Sequence, residues 1–152
     1  MNLSRFVTEE RLDMLFHFLE TVASDILEAD QLARDPELKM DIQMLQSDME
    51  AIQYEIERTV ADEKSDDGKL KYTNAAKRNT ESAYRLLNHS EYQSLKNDLE
   101  VKKAQQNDFW RKKEQLKTQY EGYIAMMDAV TAMIKLDAIQ KEVELWEKKK
   151  QH

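Results

Sequence analysis

The chain has very few residues that can turn or break a helix. Its 152 residues include two glycines, one proline and no cysteine, where a chain of this length ordinarily has about ten glycines and about seven prolines. Tight hairpins, phosphate-binding loops and multi-stranded sheets depend on such residues. Charged residues at 35% and hydrophobic residues at 41% are typical of long amphipathic helices. The composition therefore predicts an all-α protein, and by itself it does not identify a function.

The absence of cysteine excludes disulfides, a thiolate nucleophile and Cys-ligated metal sites. The N-terminal residues lack the apolar run and small-residue cleavage site of a signal peptide. The most apolar segment, Ile124 to Leu136, is 13 residues long and contains Asp128 and Lys135, so it is too short and too charged to span a bilayer. We therefore expect a soluble, cytoplasmic protein with no membrane partner.

The net charge of −7 is unevenly distributed along the chain. Residues 1–68 contain 6 Lys/Arg and 18 Asp/Glu, a net charge of −12, whereas residues 69–152 contain 17 and 12, a net charge of +5. This polarity indicates either head-to-tail association or two surfaces with different partners.

Two helices are predicted in the acidic half. The first begins after Thr8, a plausible N-cap, and continues with apolar residues at spacings of three and four to a stop near Arg34. Asp35 and Pro36 together resemble an N-cap followed by the first helical position, so the second helix is expected from Pro36 to about Val60. Its apolar residues follow a heptad seam without error: Leu38, Ile42, Leu45, Met49, Ile52 and Ile56.

The basic half begins after a loop at residues 62–72, with Asp67-Gly68 at its centre. Thr73 is the expected cap of a short helix that ends around Asn88. Ser90 followed by Gln93 resembles a capping box and predicts the start of a long last helix. Spacings of three and four persist along that helix, at Tyr92, Leu95, Leu99, Lys102, Gln106, Phe109, Lys113, Leu116, Tyr120, Tyr123, Met127, Val130 and Ile134.

The long helix departs from an ordinary seam in two places. Lys102, Gln106 and Lys113 occupy seam positions where apolar residues are expected, so this stretch is either exposed or held in a register set by a partner. Between residues 124 and 136 the apolar residues spread around the helix, which indicates an oligomer core. We expect a homodimer, with an interface that includes Tyr123, Met127, Val130, Met133 and Ile134.

The expected architecture is a single helical domain over residues 1–152, built as an antiparallel coiled-coil bundle with one long C-terminal helix. Residues 1–61 would form an acidic helical hairpin, residues 62–72 a loop, and residues 73–152 the short helix and the long basic and apolar helix.

A basic segment with interleaved aromatic residues lies in the long helix. Cations that neutralise phosphates, beside rings that stack on bases, are typical of single-strand binding. The alternative is an ordinary solvated helix face. The candidate nucleic-acid contacts are Lys102, Lys103, Trp110, Arg111, Lys112, Lys113 and Lys117.

Carboxylates on the second helix form the opposite candidate. A rigid acidic helix can imitate the phosphates of a duplex and occupy a DNA-binding protein, although acidic coiled-coil surfaces are usually just solvated. The candidate contacts to a basic protein partner are Asp41, Asp48, Glu50, Glu55 and Glu57.

Catalytic and metal-binding patterns are weak. Asp13, His17 and Glu20 share one helix face, but no second histidine lies nearby, so we expect no metal site and no cofactor. The sequence has no phosphate loop, no nucleophile elbow and no calcium loop. We therefore expect that the protein is not an enzyme.

Residues 69–100, KLKYTNAAKRNTESAYRLLNHSEYQSLKNDLE, resemble small helical proteins of tailed phages. In those proteins a "KYTN..KR" opening leads through a short helix to "EYQ.L" and a long charged coil. The resemblance implies a phage or prophage accessory protein that acts near DNA in the host cytoplasm, and it transfers no functional residue.

Three functions remain open from the sequence. The first is a coiled-coil adaptor that oligomerises and contacts nucleic acid or a DNA-processing complex. The second is an acidic DNA mimic that inhibits a host DNA-binding or defence complex. The third is a purely structural scaffold.

Overall fold

The computed structural model describes residues 9–150, which form four α-helices. These are α1 (Glu9–Ala33), α2 (Pro36–Asp62), α3 (Ala75–Leu87) and α4 (Ser90–Lys150). Residues 9–150 contain no β-strand beyond an isolated antiparallel bridge between Lys64 and Leu70. The all-α class and the long C-terminal helix are thus confirmed, and the proposed N-cap Thr8 lies outside the described residues. In the described part of the chain, no helix combines the length and the apolar character needed to cross a bilayer.

The break between α1 and α2 follows the predicted chemistry. α1 ends at Ala33, one residue before the predicted stop, and α2 begins at Pro36 as predicted. The Asp35 carboxylate accepts a hydrogen bond from the backbone N–H of Glu37 at 3.0 Å, which satisfies a donor that the helix itself cannot. Pro36 at the first helical position has no N–H to satisfy.

The loop between α2 and α3 is tied by its own hydrogen bonds. Gly68 has a φ of 76°, a left-handed conformation that glycine adopts without a steric penalty. Its N–H donates to the carbonyl of Ser65 at 2.9 Å, and the N–H of Ser65 donates to the carbonyl of Lys69 at 2.8 Å. Asp67-Gly68, the predicted centre of the loop, therefore lies within the turn that these hydrogen bonds close.

The cap of α3 differs from the sequence prediction. Asn74, not Thr73, is the N-cap, and its side-chain oxygen accepts the N–H of Lys77 at 2.9 Å. Asn and Asp are stronger caps than Thr, and Asn74 stands three residues before the N–H that it satisfies.

The start of α4 also differs. Ser90 is the first helical residue, and the capping position belongs to His89, whose Nδ1 accepts the N–H of Tyr92 at 3.2 Å. Gln93 does not complete a capping box with Ser90, because its Nε2 donates to the carbonyl of Leu86 at 2.9 Å. Gln93 therefore adds a second donor to a carbonyl at the end of α3 that also accepts the backbone N–H of His89 at 3.2 Å.

Residue contacts divide the chain into two compact units. In the described range, the terminal unit contains residues 9–31 and 109–150, and the central unit contains residues 32–108. The central unit has a small core, in which Val60 is fully buried. The other buried side chains of its described residues are Ala33, Leu38, Ile42, Ser82 and Leu99.

The terminal unit is much less buried. Among its described residues only Val22 and Ala29 are buried. The predicted seam of α4 is nevertheless visible in both units as the less exposed side of the helix, since every seam residue from Tyr92 to Val130 is buried or half-buried. Ile134, the last predicted seam residue, is 45% exposed.

Candidate interaction surfaces

Lys102, the first polar residue of the α4 seam, lies in the central unit and has a partner on α2. Its Nζ donates to the carboxylate of Asp41 at 2.7 Å. This hydrogen bond, together with the carboxylate charge, raises the pKa of Lys102 above its usual value. Asp41 is half-buried. A residue from the basic candidate set and one from the acidic set therefore bind each other.

Gln106, the second polar seam residue, reaches the end of α1 within the same unit. Its Nε2 donates to the carbonyl of Ala33 at 3.5 Å, a long hydrogen bond. In a continuous helix that carbonyl would accept the N–H of Glu37, but this N–H turns to Asp35 instead. Ala33 is only 1% exposed, so Gln106 supplies a donor to a carbonyl that water hardly reaches.

Lys113, the third polar seam residue, lies in the terminal unit and is the most enclosed of the three. It donates to the carboxylate of Asp30 on α1, and the two side chains are 17% and 26% exposed. Its Nζ also lies 4.8 Å from the centre of the Trp110 ring, a distance at which the ring attracts a cation. Trp110 is half-buried, so part of its surface belongs to this contact.

The remaining basic candidates lie on the surface of α4. Lys103 is exposed in the central unit. In the terminal unit Arg111, Lys112 and Lys117 are exposed, and the Nζ of Lys117 lies 3.9 Å from Glu114 in a loose ion pair with the side chains 50% and 66% exposed. Such an exposed pair contributes little to stability, so Lys117 can reach a phosphate at little cost.

The acidic candidates lie along α2. Asp48, Glu50, Glu55 and Glu57 are exposed, and Gln53 donates to Glu57 at 2.8 Å along the same helix. Asp41 differs from the other four, because it is engaged by Lys102.

The expected oligomer interface is only partly exposed. Tyr123 stacks on Phe18 of α1, with ring centres 5.6 Å apart and planes 6° apart. Met127 and Val130 are half-buried on the same side of α4. Met133 and Ile134 are 39% and 45% exposed, so two of the five residues have exposed side chains that a second chain could cover.

A charged cluster in the central unit was missed by sequence reasoning. Glu63, just after α2, accepts Lys71 Nζ at 2.7 Å on one oxygen and the guanidinium of Arg85 on the other. Arg85 also donates through Nε to Glu81 at 2.7 Å, one turn earlier on α3. The Glu81–Arg85 spacing of four residues could have indicated this last pair. The contact with Glu63 spans 22 residues and has no local signal.

Hydrogen bonding shifts the titration of this cluster. The bonds from Lys71 and Arg85 hold the pKa of Glu63 below its usual value of 4.5. The carboxylates of Glu81 and Glu63 raise the pKa of Arg85, and Glu63 raises that of Lys71. The cluster joins the end of α2, the loop and α3, which is a structural role.

The described residues form an open groove but no cluster suited to a metal ion. An open groove of about 700 Å³ lies beside the cluster, lined by Glu55, Arg58, Thr59, Asp62, Glu63 and Arg85. Within residues 9–150, no group of three or more His, Cys, Asp or Glu side chains could hold a metal ion. His17 is exposed on α1.

No protein-family model matches the chain, and no curated protein or solved structure matches it significantly.

Proposed function

We propose that the protein is a non-enzymatic coiled-coil adaptor, encoded by a phage, that assembles as a homodimer and contacts nucleic acid. The nucleic-acid contact is supported by a difference between the lysines of α4 in the terminal unit: one is paired with a carboxylate of α1 and the others are exposed. Lys113 is committed to Asp30, while Lys112 and Lys117 remain exposed on the same two turns of helix. A surface that holds the Trp110 ring beside Lys113 and presents exposed cations next to it suits a phosphate backbone.

Polar contacts support the coiled-coil part of the proposal. In the central unit Ala33 meets Gln106 and Asp41 meets Lys102. The residue number rises from Ala33, the last residue of α1, to Asp41 on α2 as it falls from Gln106 to Lys102, as expected for this part of the chain running antiparallel to the first part of α4. Polar pairs inside a seam favour one register over its alternatives.

The test is binding of a fluorescent single-stranded oligonucleotide, measured by anisotropy over a range of salt concentrations. Lys112→Gln combined with Lys117→Gln removes two phosphate contacts, so affinity should fall and the salt slope should decrease by about 1.4 for a single strand. The matched control is Lys135→Gln combined with Lys148→Gln, which removes two exposed charges elsewhere on α4 and should leave binding nearly unchanged.

Lys113→Gln is a poor probe of the same contact, since it also breaks the ion pair with Asp30. Wild-type protein that does not bind the oligonucleotide even at low salt would eliminate the nucleic-acid contact. An equal loss of oligonucleotide affinity in the test and control variants would show that binding depends on net charge alone, and it would contradict a contact at Lys112 and Lys117.

The exposed carboxylates of α2 favour a second candidate, a DNA mimic that inhibits a host DNA-binding or defence complex. Asp48, Glu55 and Glu57 all face solvent. Under this function the wild type captures a basic host protein in nuclease-treated lysate, and reversal of these three charges to Lys releases it. Charge reversal at Asp66, Asp98 and Glu100, three exposed carboxylates outside α2, is the matched control. A purely structural scaffold would bind neither nucleic acid nor a basic protein.

A further inference from the structure

A second heptad seam follows α4 through the terminal unit, and among residues 9–150 no other helix covers it; within α4 itself, Lys150 Nζ lies 3.7 Å from the centre of the Trp146 ring. Its members are spaced 3, 4, 3, 4, 3, 4 and 3 residues apart, and every one of them is exposed. The seam consists of Gly122, Ala125, Ala129, Ala132, Leu136, Ile139, Val143 and Trp146.

This second seam lies on the side of α4 opposite to the first. Its first five residues each follow a first-seam residue by two, as Ala125 follows Tyr123, and two residues correspond to about 200° around a helix. Tyr123 faces α1, where it stacks on Phe18. The large residues of the second seam are 61% exposed at Leu136, 58% at Ile139 and Trp146, and 49% at Val143. Exposed apolar residues in such a row mark an interaction surface.

The order of side-chain sizes along the seam indicates that a second copy of the same helix is its partner. The first four residues of the seam are small and the last four are large. When two copies of the helix are placed antiparallel about the level of Ile134, each small residue falls opposite a large one: Gly122 opposite Trp146, Ala125 opposite Val143, Ala129 opposite Ile139, and Ala132 opposite Leu136. All four pairs share the same midpoint, and each joins an a position to a d position, the pairing of antiparallel coiled coils.

We propose that the second copy of this chain covers the seam, in an antiparallel homodimer about the level of Ile134. The inference names the partner in the dimeric assembly proposed above and rests on that part of the function. Pairing of small with large residues gives each layer a similar volume, as close packing requires. A parallel dimer would instead place Gly and Ala against themselves at one end and Trp against itself at the other.

Gly122 supports this arrangement independently. It stands inside a continuous helix, where glycine costs roughly 1 kcal/mol relative to alanine. Among the residues that the structure describes, a Cβ at this position would meet nothing within 4 Å, and its φ is not in the left-handed region. The fold of one copy therefore gives no reason for a glycine here. An antiparallel second copy gives one, because the partner residue at this level is Trp146, the largest of the seam.

The charges beside the seam favour neither the antiparallel nor the parallel orientation of the two copies. In the antiparallel pair Glu121 would lie near Lys149, which is favourable, and Asp128 near Glu142, which is unfavourable. Two exposed methionines, Met126 and Met133, border the seam and would widen the contact with adaptable apolar surface. The orientation therefore follows from the packing volumes.

Disulfide cross-linking tests the orientation directly, because the chain has no cysteine of its own. Ala125→Cys and Val143→Cys are made as separate full-length proteins with tags of different size, mixed, and oxidised. An antiparallel dimer places these two cysteines in one layer, so the expected product is the mixed dimer. In one helix the two positions are 18 residues, about 27 Å, apart, so a parallel dimer would give only the two like-with-like products and would overturn the proposal.

A matched pair of charge substitutions tests the surface itself by sedimentation equilibrium. Leu136→Glu should abolish the dimer, whereas Leu145→Glu, at a residue equally exposed but outside the seam, should preserve it. Circular dichroism should show the same helix content for both variants, since neither side chain is buried in one copy. Equal effects of the two variants, or a wild type that is monomeric at every concentration, would overturn the proposal.

These outcomes are separable from those of the oligonucleotide experiment. If only like-with-like products form, the protein can still be a dimeric adaptor, but its two copies do not pair antiparallel about the level of Ile134. Loss of nucleic-acid binding does not change which cysteines cross-link.

Discussion

At the scale of single residues, the polar side chains of the seam act as specific partners for features on the other helices. Lys102 binds a carboxylate, Gln106 binds a carbonyl exposed by a helix break, and Lys113 binds a half-buried carboxylate. Each would be costly if it were buried without that partner. Glu63, which lies outside the seam, also has specific partners: Lys71 donates to one of its carboxylate oxygens and Arg85 donates to the other.

Replacement of Glu63 tests this role through pH. Because the folded-state pKa of Glu63 lies below its usual value of 4.5, its contribution to stability is fully present above about pH 4.5 and is lost as the pH falls through the lower folded value. Glu63→Gln should therefore unfold at lower urea concentration than wild type at pH 7, and the difference should narrow in acid. Glu50→Gln, at an exposed residue of α2, is the control and should follow the wild-type profile. A difference that is constant with pH would contradict the prediction.

At the scale of helices, the caps decide where each element begins. Asp35 could be predicted because Asp before Pro is a strong and local signal. The caps of α3 and α4 were misplaced by one residue, at Thr73 and Ser90, because the residue beside each of them, Asn74 or His89, can also accept a backbone N–H. At the start of α4, the side chain of Gln93 donates to the Leu86 carbonyl and does not form a capping box with Ser90. The Nδ1 of His89 accepts the N–H of Tyr92 and caps the helix.

The His89 cap is open to a direct test. His89→Ala removes the acceptor of the Tyr92 N–H and should lower the free energy of unfolding by about 1 kcal/mol, whereas His89→Asn keeps an acceptor and should recover most of it. Urea unfolding followed by circular dichroism at 222 nm measures both. If Ser90→Ala costs more than His89→Ala, the capping box of the sequence prediction is the correct assignment.

At the scale of the molecule, burial is concentrated in the central unit. Val60 and its neighbours form a core there, while the described part of the terminal unit buries only Val22 and Ala29. A helix pair with so little buried apolar surface gains stability when another surface covers it. This is the physical reason to expect that assembly contributes to the stability of the protein.

Thermal unfolding should accordingly depend on protein concentration. Association that is present only in the folded state stabilises it by mass action, so a hundredfold rise in concentration should raise the Tm of wild type by several degrees. Leu136→Glu should have a Tm that hardly changes over the same range. Differential scanning calorimetry at several concentrations measures both, and a wild-type Tm independent of concentration would argue against the dimer.

The sequence by itself determined the helices of this protein and the inward face of its longest one. The reason is that helix breakers, heptad spacing and the Asp-Pro signal act between residues that are close along the chain. Tertiary structure alone decided what the polar seam residues do, because their partners lie 61 to 83 residues away. It also showed which of two apolar seams on α4 is already covered. Two glycines and one proline limited the fold to helices, but only the packed helices revealed that no described residue of the same copy lies close enough to Gly122 to require a glycine there.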